Sequence, residues 1–177
     1  DRGFRSDLAT HSLAMKLAKE FSPDGLFQLH HFINADNILR DLVTGEGILF
    51  TDFGLVVSWE SLRASLASGG RLTESHPFFD AARVENSRLT APMEMCDAYV
   101  AAAISDFLRE SLLAAGRSFS FETVMSHRNK IEFFARAKAA GYRTYLYFVA
   151  TESPALNIHR VANRIELGGH PVPAHTD

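Results

Sequence analysis

Cysteine is almost absent: Cys96 stands alone among 177 residues. A single thiol excludes an intramolecular disulfide and a cysteine-built zinc site, and it fits a reducing compartment. An excess of positive charge is missing too. With 18 Lys and Arg against 21 Asp and Glu the net charge is −3 and the pI about 6.2, so no global field attracts nucleic acid or an anionic membrane. No apolar run approaches the roughly 20 residues of a membrane span, and residues 1–20 lack the unbroken apolar stretch of a signal peptide. The expectation is a soluble cytoplasmic protein with neither a membrane nor a nucleic-acid partner. The eight histidines show no His-x-x-x-His or related spacing for a dedicated zinc site. What is present is ordinary globular material, 46% hydrophobic and 22% charged, enough for one domain with a substantial core.

Along the chain, Leu8, Leu13, Leu17 and Ala18 recur at helical spacing over residues 7–20, and Ser22-Pro23-Asp24-Gly25 stops them. Residues 29–33 (LHHFI) read as a short buried strand, followed by Asn34-Ala35-Asp36 and a helix starting near Asp36 or Asn37. Gly45, Gly47 and Gly54 make 44–53 irregular. Ser58 caps a helix that ends at Ser68-Gly69-Gly70. Residues 71–91 are mixed and turn-rich. A long helix is expected from Pro92 to Ala115, with Cys96 inside it as a small apolar residue and Gly116 closing it.

Ser118-Phe119-Ser120-Phe121 alternates as a strand and gives way to Glu122-Thr123. Residues 127–140 form an amphipathic helix on Ile131, Phe134, Ala135 and Ala139, closed by Gly141. Residues 142–150 (YRTYLYFVA) are nearly continuous apolar strand, and 155–167 a helix after Pro154. Strand and helix alternating with short links predict α/β architecture, a parallel sheet flanked by helices.

Ligands of open parallel sheets bind beyond the carboxyl ends of the strands. Two carboxylates stand there, Asp36 and Glu122, the second beside the Thr123 hydroxyl. Asp36 is equally well read as a helix cap. Arg160 and Arg164, four residues apart on one helix face, either pair with surface carboxylates or grip a polyanion. His127 and Arg128 follow the Glu122 loop closely enough to face the same rim.

Three stretches together are more specific: Phe32-Ile33-Asn34-Ala35-Asp36; Phe121-Glu122-Thr123-Val124-Met125-Ser126-His127; and Asn157, Arg160, Arg164 with Gly168-Gly169-His170-Pro171-Val172-Pro173. In these the chain resembles the zeta-toxin-like family of P-loop kinases. The resemblance is dense over 118–173, anchored at 31–38 and loose between 44 and 115. It implies a P-loop NTPase-like three-layer fold in a single domain over 1–177. It also implies a phosphotransferase that moves phosphate from ATP or GTP, with Mg²⁺, to a hydroxyl of a small acceptor such as the nucleotide sugar UDP-N-acetylglucosamine, with a toxin role and an antitoxin partner. By position, Asp36 would be the general base, Arg160 and Arg164 would approach the transferring phosphate, and Glu122, Thr123 and Arg128 would hold the acceptor.

The family's phosphate cradle, G-x-x-x-x-G-K-[ST], does not occur in the 177 residues. Aligned on the following helix, Ser12 takes the position that meets nucleotide and Mg²⁺, His11 that of the lysine, and Arg5 and Thr10 those of the glycines. Either the first strand and cradle lie outside a chain truncated at both ends, or the cradle is lost and the protein is a non-catalytic kinase-like binding module. Retention of Asp36, Glu122 and Arg160 favours truncation.

Overall fold

The computed structural model describes residues 31–123 and 128–146. The predicted helices at 7–20 and 155–167 lie outside them. Of the predicted strand at 142–150, residues 147–150 also lie outside them, while 142–146 are described and form no strand, so the expected strand does not occur there. The chain divides into two compact units: residues 7–128 form one, and residues 1–6 with 129–177 the other.

In the larger unit the first strand, β1 (Phe32–Ile33), leads through Asn34 into helix α1 (Ala35–Val43). The start falls at Ala35 because the Asn34 side chain accepts the N–H of Asn37 at 2.9 Å, satisfying one of the helix's orphan donors. The segment expected to be irregular contains β2 (Ile48–Leu49) and a 3-10 turn at Phe50–Phe53. Helix α2 (Trp59–Ser68) is capped by Ser58 and ends at Gly69, as its local signals dictate. In its first turn the Glu60 carboxyl is held below the usual range by its own backbone N–H and the Ser58 hydroxyl.

The turn-rich stretch resolves into a single-turn helix, α3 (Phe78–Ala81), and a hairpin of β3 (Arg83–Glu85) and β4 (Arg88–Thr90). Asn86 and Ser87 both have positive φ, 49° and 60°, the backbone of the two-residue turn whose twist matches the strands it joins. Ser87 Oγ accepts the Val57 N–H at 3.3 Å and ties the turn to the neighbouring loop. Strand β4 is central in an antiparallel sheet of order β2-β4-β3, with Ile48 opposite Leu89 and Val84 opposite Leu89 on its other side.

The long helix begins later than the periodicity implies. Met93–Met95 form a separate 3-10 turn, and α4 (Ala98–Ala114) starts at Asp97, whose carboxylate accepts the Val100 N–H at 2.8 Å. Cys96 therefore ends the 3-10 turn instead of lying in a helix. Beyond Gly116, β5 (Ser120–Phe121) pairs parallel with β1, Phe32 beside Ser120 and Ile33 beside Phe121. The fold is mixed α/β with a small parallel sheet of two strands among the described residues.

The core is organised on α4. Val100, Ile104, Leu108 and Leu112 are fully buried and recur every four residues, a stripe that helical periodicity aligns on one face. Helices α1 and α2 pack on α4, bringing Ile38, Leu42, Leu62 and Leu66 into the same cluster as Phe50, Phe78 and Leu89.

Two glycines have left-handed backbones and close neighbours, and at Gly47 the neighbour is backbone that cannot move aside. At Gly47, φ is +67° and a Cβ would lie 2.3 Å from the Leu89 carbonyl oxygen. At Gly54, φ is +65° and the Arg117 guanidinium occupies the space a side chain would need.

The smaller unit contributes α5 (Arg128–Ala139), closed at Gly141. Its buried residues are Phe133 and Ala137, four apart. Ile131, expected on the apolar face, is 63% exposed, and Ala135 and Ala139 are exposed as well. Four apolar residues at 131, 134, 135 and 139 outline a stripe by spacing alone; the stripe actually buried is rotated by about half a turn from Ile131.

Candidate active site

Because β1 and β5 run side by side in the same direction, both carboxyl ends open on one rim. Glu122, the first residue past β5, donates its backbone N–H to the Ile33 carbonyl at 3.3 Å. Its side chain reaches across to β1, where Asn34 Nδ2 donates to Glu122 Oε2 at 2.7 Å. Asn34 is thus used from both ends, its Oδ1 capping α1 and its Nδ2 holding the carboxylate. The orientation of that amide is forced, since an N–H needs an oxygen and a carboxylate needs a donor.

Asp36 lies two residues on, in the first turn of α1, where the helix field favours a negative group. It is exposed, and its carboxylate has no hydrogen-bond or ion-pair partner among the described residues. Asn34 is the cap, so the capping role open to Asp36 from sequence is filled by its neighbour. Glu122 is thus anchored across the strands, and Asp36 stands exposed in the first turn of the helix that follows β1. Thr123 follows Glu122 half-buried, and Arg128 is exposed at the first position of α5. Ser12, Arg160 and Arg164, with Arg5, Thr10, His11 and His127, lie outside the described residues.

Under the rim sits a cation the sequence reading did not single out. Arg109 is 7% exposed, paired with Asp106 one turn earlier on α4. Its guanidinium lies 4.9 Å from the centre of the Phe121 ring, directly before Glu122. Asp106 also receives Arg71 Nε at 2.5 Å, so one carboxylate joins two cations. Burial, with Arg71 nearby, pulls Arg109 down to about 10 while Glu110 acts in the opposite sense; it remains charged at neutral pH. The available signal was an arginine four and eight residues after the small residues Ser105 and Ala101, both buried, with an aspartate three residues before it.

Beside Asn34 a cavity of about 300 Å³ opens between α1 and the segment carrying β2 and its 3-10 turn. Asn34, Asn37, Arg40, Asp52, Phe53 and Arg88 are among its lining residues. Asn34 belongs to both the cavity wall and the acidic rim. Sequence reading missed this hollow because β2 and its 3-10 turn, which form one wall, fall in the stretch expected to be irregular, and Arg88 joins them from some forty positions further on.

No family model, curated protein or solved structure matches the chain.

Cys96 shows none of the features of a nucleophile. Its thiol donates to the Pro92 carbonyl at 3.3 Å, and burial, together with the carboxylates of Asp97 and Glu94, pushes it above the ordinary thiol range. Among the described residues no group of three or more His, Cys, Asp and Glu side chains is arranged to hold a metal ion. No helix of the described residues is long and apolar enough to cross a membrane.

Proposed function

We propose that the chain is a zeta-toxin-like phosphotransferase acting on a hydroxyl of a small acceptor, a nucleotide sugar or nucleotide. The observation that carries this reading is the pairing of β1 with β5, which sets Asp36 and Glu122 at the carboxyl ends of adjacent parallel strands, with Asn34 bonded to Glu122 at 2.7 Å. The exposed Asp36 carboxylate is suited to accept the proton of the acceptor hydroxyl. Glu122, immobilised through Asn34, is suited to accept a hydrogen bond from the acceptor and fix its orientation. Positioning and charge neutralisation are the main demands of phosphoryl transfer, and a placed base contributes roughly 10²- to 10⁴-fold.

The same proposal includes ATP or GTP with Mg²⁺, a cytoplasmic location and an antitoxin partner. Arg160 and Arg164 would neutralise charge on the phosphate. Ser12 would meet nucleotide and metal; residues 5–12, which align with the cradle, lie outside the described residues.

The test is transfer of labelled phosphate from ATP or GTP to UDP-N-acetylglucosamine in Mg²⁺, with the chain alone and with the residues encoded upstream of Asp1. Asp36→Asn should lower turnover by at least about 10²-fold with an unchanged melting temperature. Turnover equal to that of the unsubstituted protein would remove Asp36 as the base.

A second reading, a non-catalytic kinase-like module that binds a protein partner, is favoured by the missing G-x-x-x-x-G-K-[ST]. It predicts no change in melting temperature with Mg·ATP, whereas a nucleotide binder must be stabilised by mass action.

A further inference from the structure

We infer that Arg109 is a positioning residue for the acidic rim: without meeting substrate, its guanidinium holds the Phe121 ring and thereby aims the Glu122 carboxylate at Asn34. The inference rests on the phosphotransferase reading, in which Glu122 holds the acceptor, and adds to it a residue one layer below the reacting groups.

Arg109 is 7% exposed, on a helix whose other buried residues are apolar or, at Ser105, small. A guanidinium stripped of water costs more than an apolar side chain gains there, unless partners surround it. Two such partners are in place. Asp106 takes the charge of Arg109 and also receives Arg71 Nε at 2.5 Å, which ties the guanidinium to α4 and to the segment following α2. The Phe121 ring is the second, its centre 4.9 Å from the guanidinium carbon. Attraction of a cation to an aromatic face grows as water is excluded, and it is directed at the face of the ring. The contact therefore fixes the plane of the ring along with its place. Phe119 stacks on the same ring, 6.2 Å between centres and 28° between planes.

Phe121 ends β5, and the backbone keeps strand geometry one residue further, because the Glu122 N–H reaches the Ile33 carbonyl at 3.3 Å. Successive side chains of a strand point to opposite faces. With Phe121 turned to α4, Glu122 is delivered to the other face, where Asn34 Nδ2 meets it at 2.7 Å. A rotation of the strand end that frees the ring swings the carboxylate away from that amide. Arg109 thus acts on where Glu122 points, and it does so through the ring.

Substitution at 109 leaves Asp106 paired with Arg71, so no carboxylate is stranded and the fold tolerates the change. The experiment follows the Asn34 side-chain amide of the 177-residue chain by heteronuclear NMR, without nucleotide. In Arg109→Met, which keeps most of the volume and loses the charge, its signals should move toward the positions they take in Glu122→Ala. Phe121→Leu removes the ring and should give the same displacement, with the double variant showing no more than either alone. Arg109→Lys keeps a cation without the planar fork and should recover part of it. Ile104→Val, a buried change on the same helix, should lower the melting temperature and leave the amide signals in place. In phosphate transfer, Arg109→Met should raise the KM for the acceptor at least about tenfold and leave that for ATP unchanged. Amide signals unmoved in Arg109→Met or in Phe121→Leu, or moved as far by Ile104→Val, would overturn the inference. Should the unsubstituted protein transfer no phosphate, the phosphotransferase reading falls, while the amide signals still decide whether Arg109 aims Glu122.

Discussion

Asn34 is the residue on which the rim depends, since a single amide caps α1 and holds Glu122. Asn34→Asp separates the two tasks. The new carboxylate keeps the cap, because aspartate accepts the Asn37 N–H as well as asparagine does, but it places a second negative charge against Glu122. Two carboxylates in contact raise the affinity of one of them for a proton above its unfolded value. The native state then binds more protons than the unfolded state between the ordinary carboxylate range and the raised value. Stability therefore falls as pH rises through that window. Urea unfolding should show Asn34→Asp less stable than the parent by about 1 kcal/mol or more at pH 7, with the deficit shrinking as pH falls toward 4. A deficit that does not change with pH would mean that the Asn34–Glu122 bond contributes nothing. Asn34→Ala removes the cap and the donor to Glu122 together, without adding a charge, and should lose at least about 1 kcal/mol at pH 7.

At the level of elements, the β2-β4-β3 sheet is held by contacts between residues distant in sequence. Gly47 leads into β2 and leaves no room for a Cβ beside the Leu89 carbonyl of β4. Gly47→Ala should cost upwards of about 2 kcal/mol, combining the left-handed backbone with a backbone clash that cannot relax. Gly45→Ala, also at positive φ (81°) but with nothing within 4 Å, should cost only about 1 kcal/mol. Equal losses in thermal unfolding would show that the approach to Leu89 is not a constraint.

The same elements explain what was legible in the chain. Helix α2 was readable at both ends because its signals, Ser58 and Gly69, are local. Helix α4 was placed too early because Pro92 and Asp97 are both plausible starts, and only the hydrogen bond from Val100 distinguishes them. Strands β2, β3 and β4 have only two or three residues each, too few for alternation to register, and Ile48 finds its partner Leu89 far along the sequence. The acidic rim was legible because strand ends are where parallel sheets expose chemistry. The Asn34–Glu122 bond spans 88 residues and left no local trace, and the Arg109–Phe121 contact was equally hidden.

For the molecule as a whole, the continuous buried cluster, from Ile33 to Leu112, falls within residues 7–128. A unit that holds its own core should fold by itself. Residues 7–128 expressed alone should therefore unfold cooperatively in urea, with helical circular dichroism and a single transition. A fragment that is helical but shows no cooperative transition would mean that the core needs residues 129–177 to close.

Gly54 is held by the handedness of its backbone more than by its neighbour. It follows the 3-10 turn that forms one cavity wall, and the guanidinium resting on it belongs to Arg117, five residues upstream of Glu122. A methyl group grafted at 54 meets only the tip of a long side chain that can swing aside, so its cost comes from the left-handed backbone there, about 1 kcal/mol. Shortening the residue at 117 should therefore leave that cost in place, and full rescue by Arg117→Ala would show that crowding, not chirality, holds the glycine.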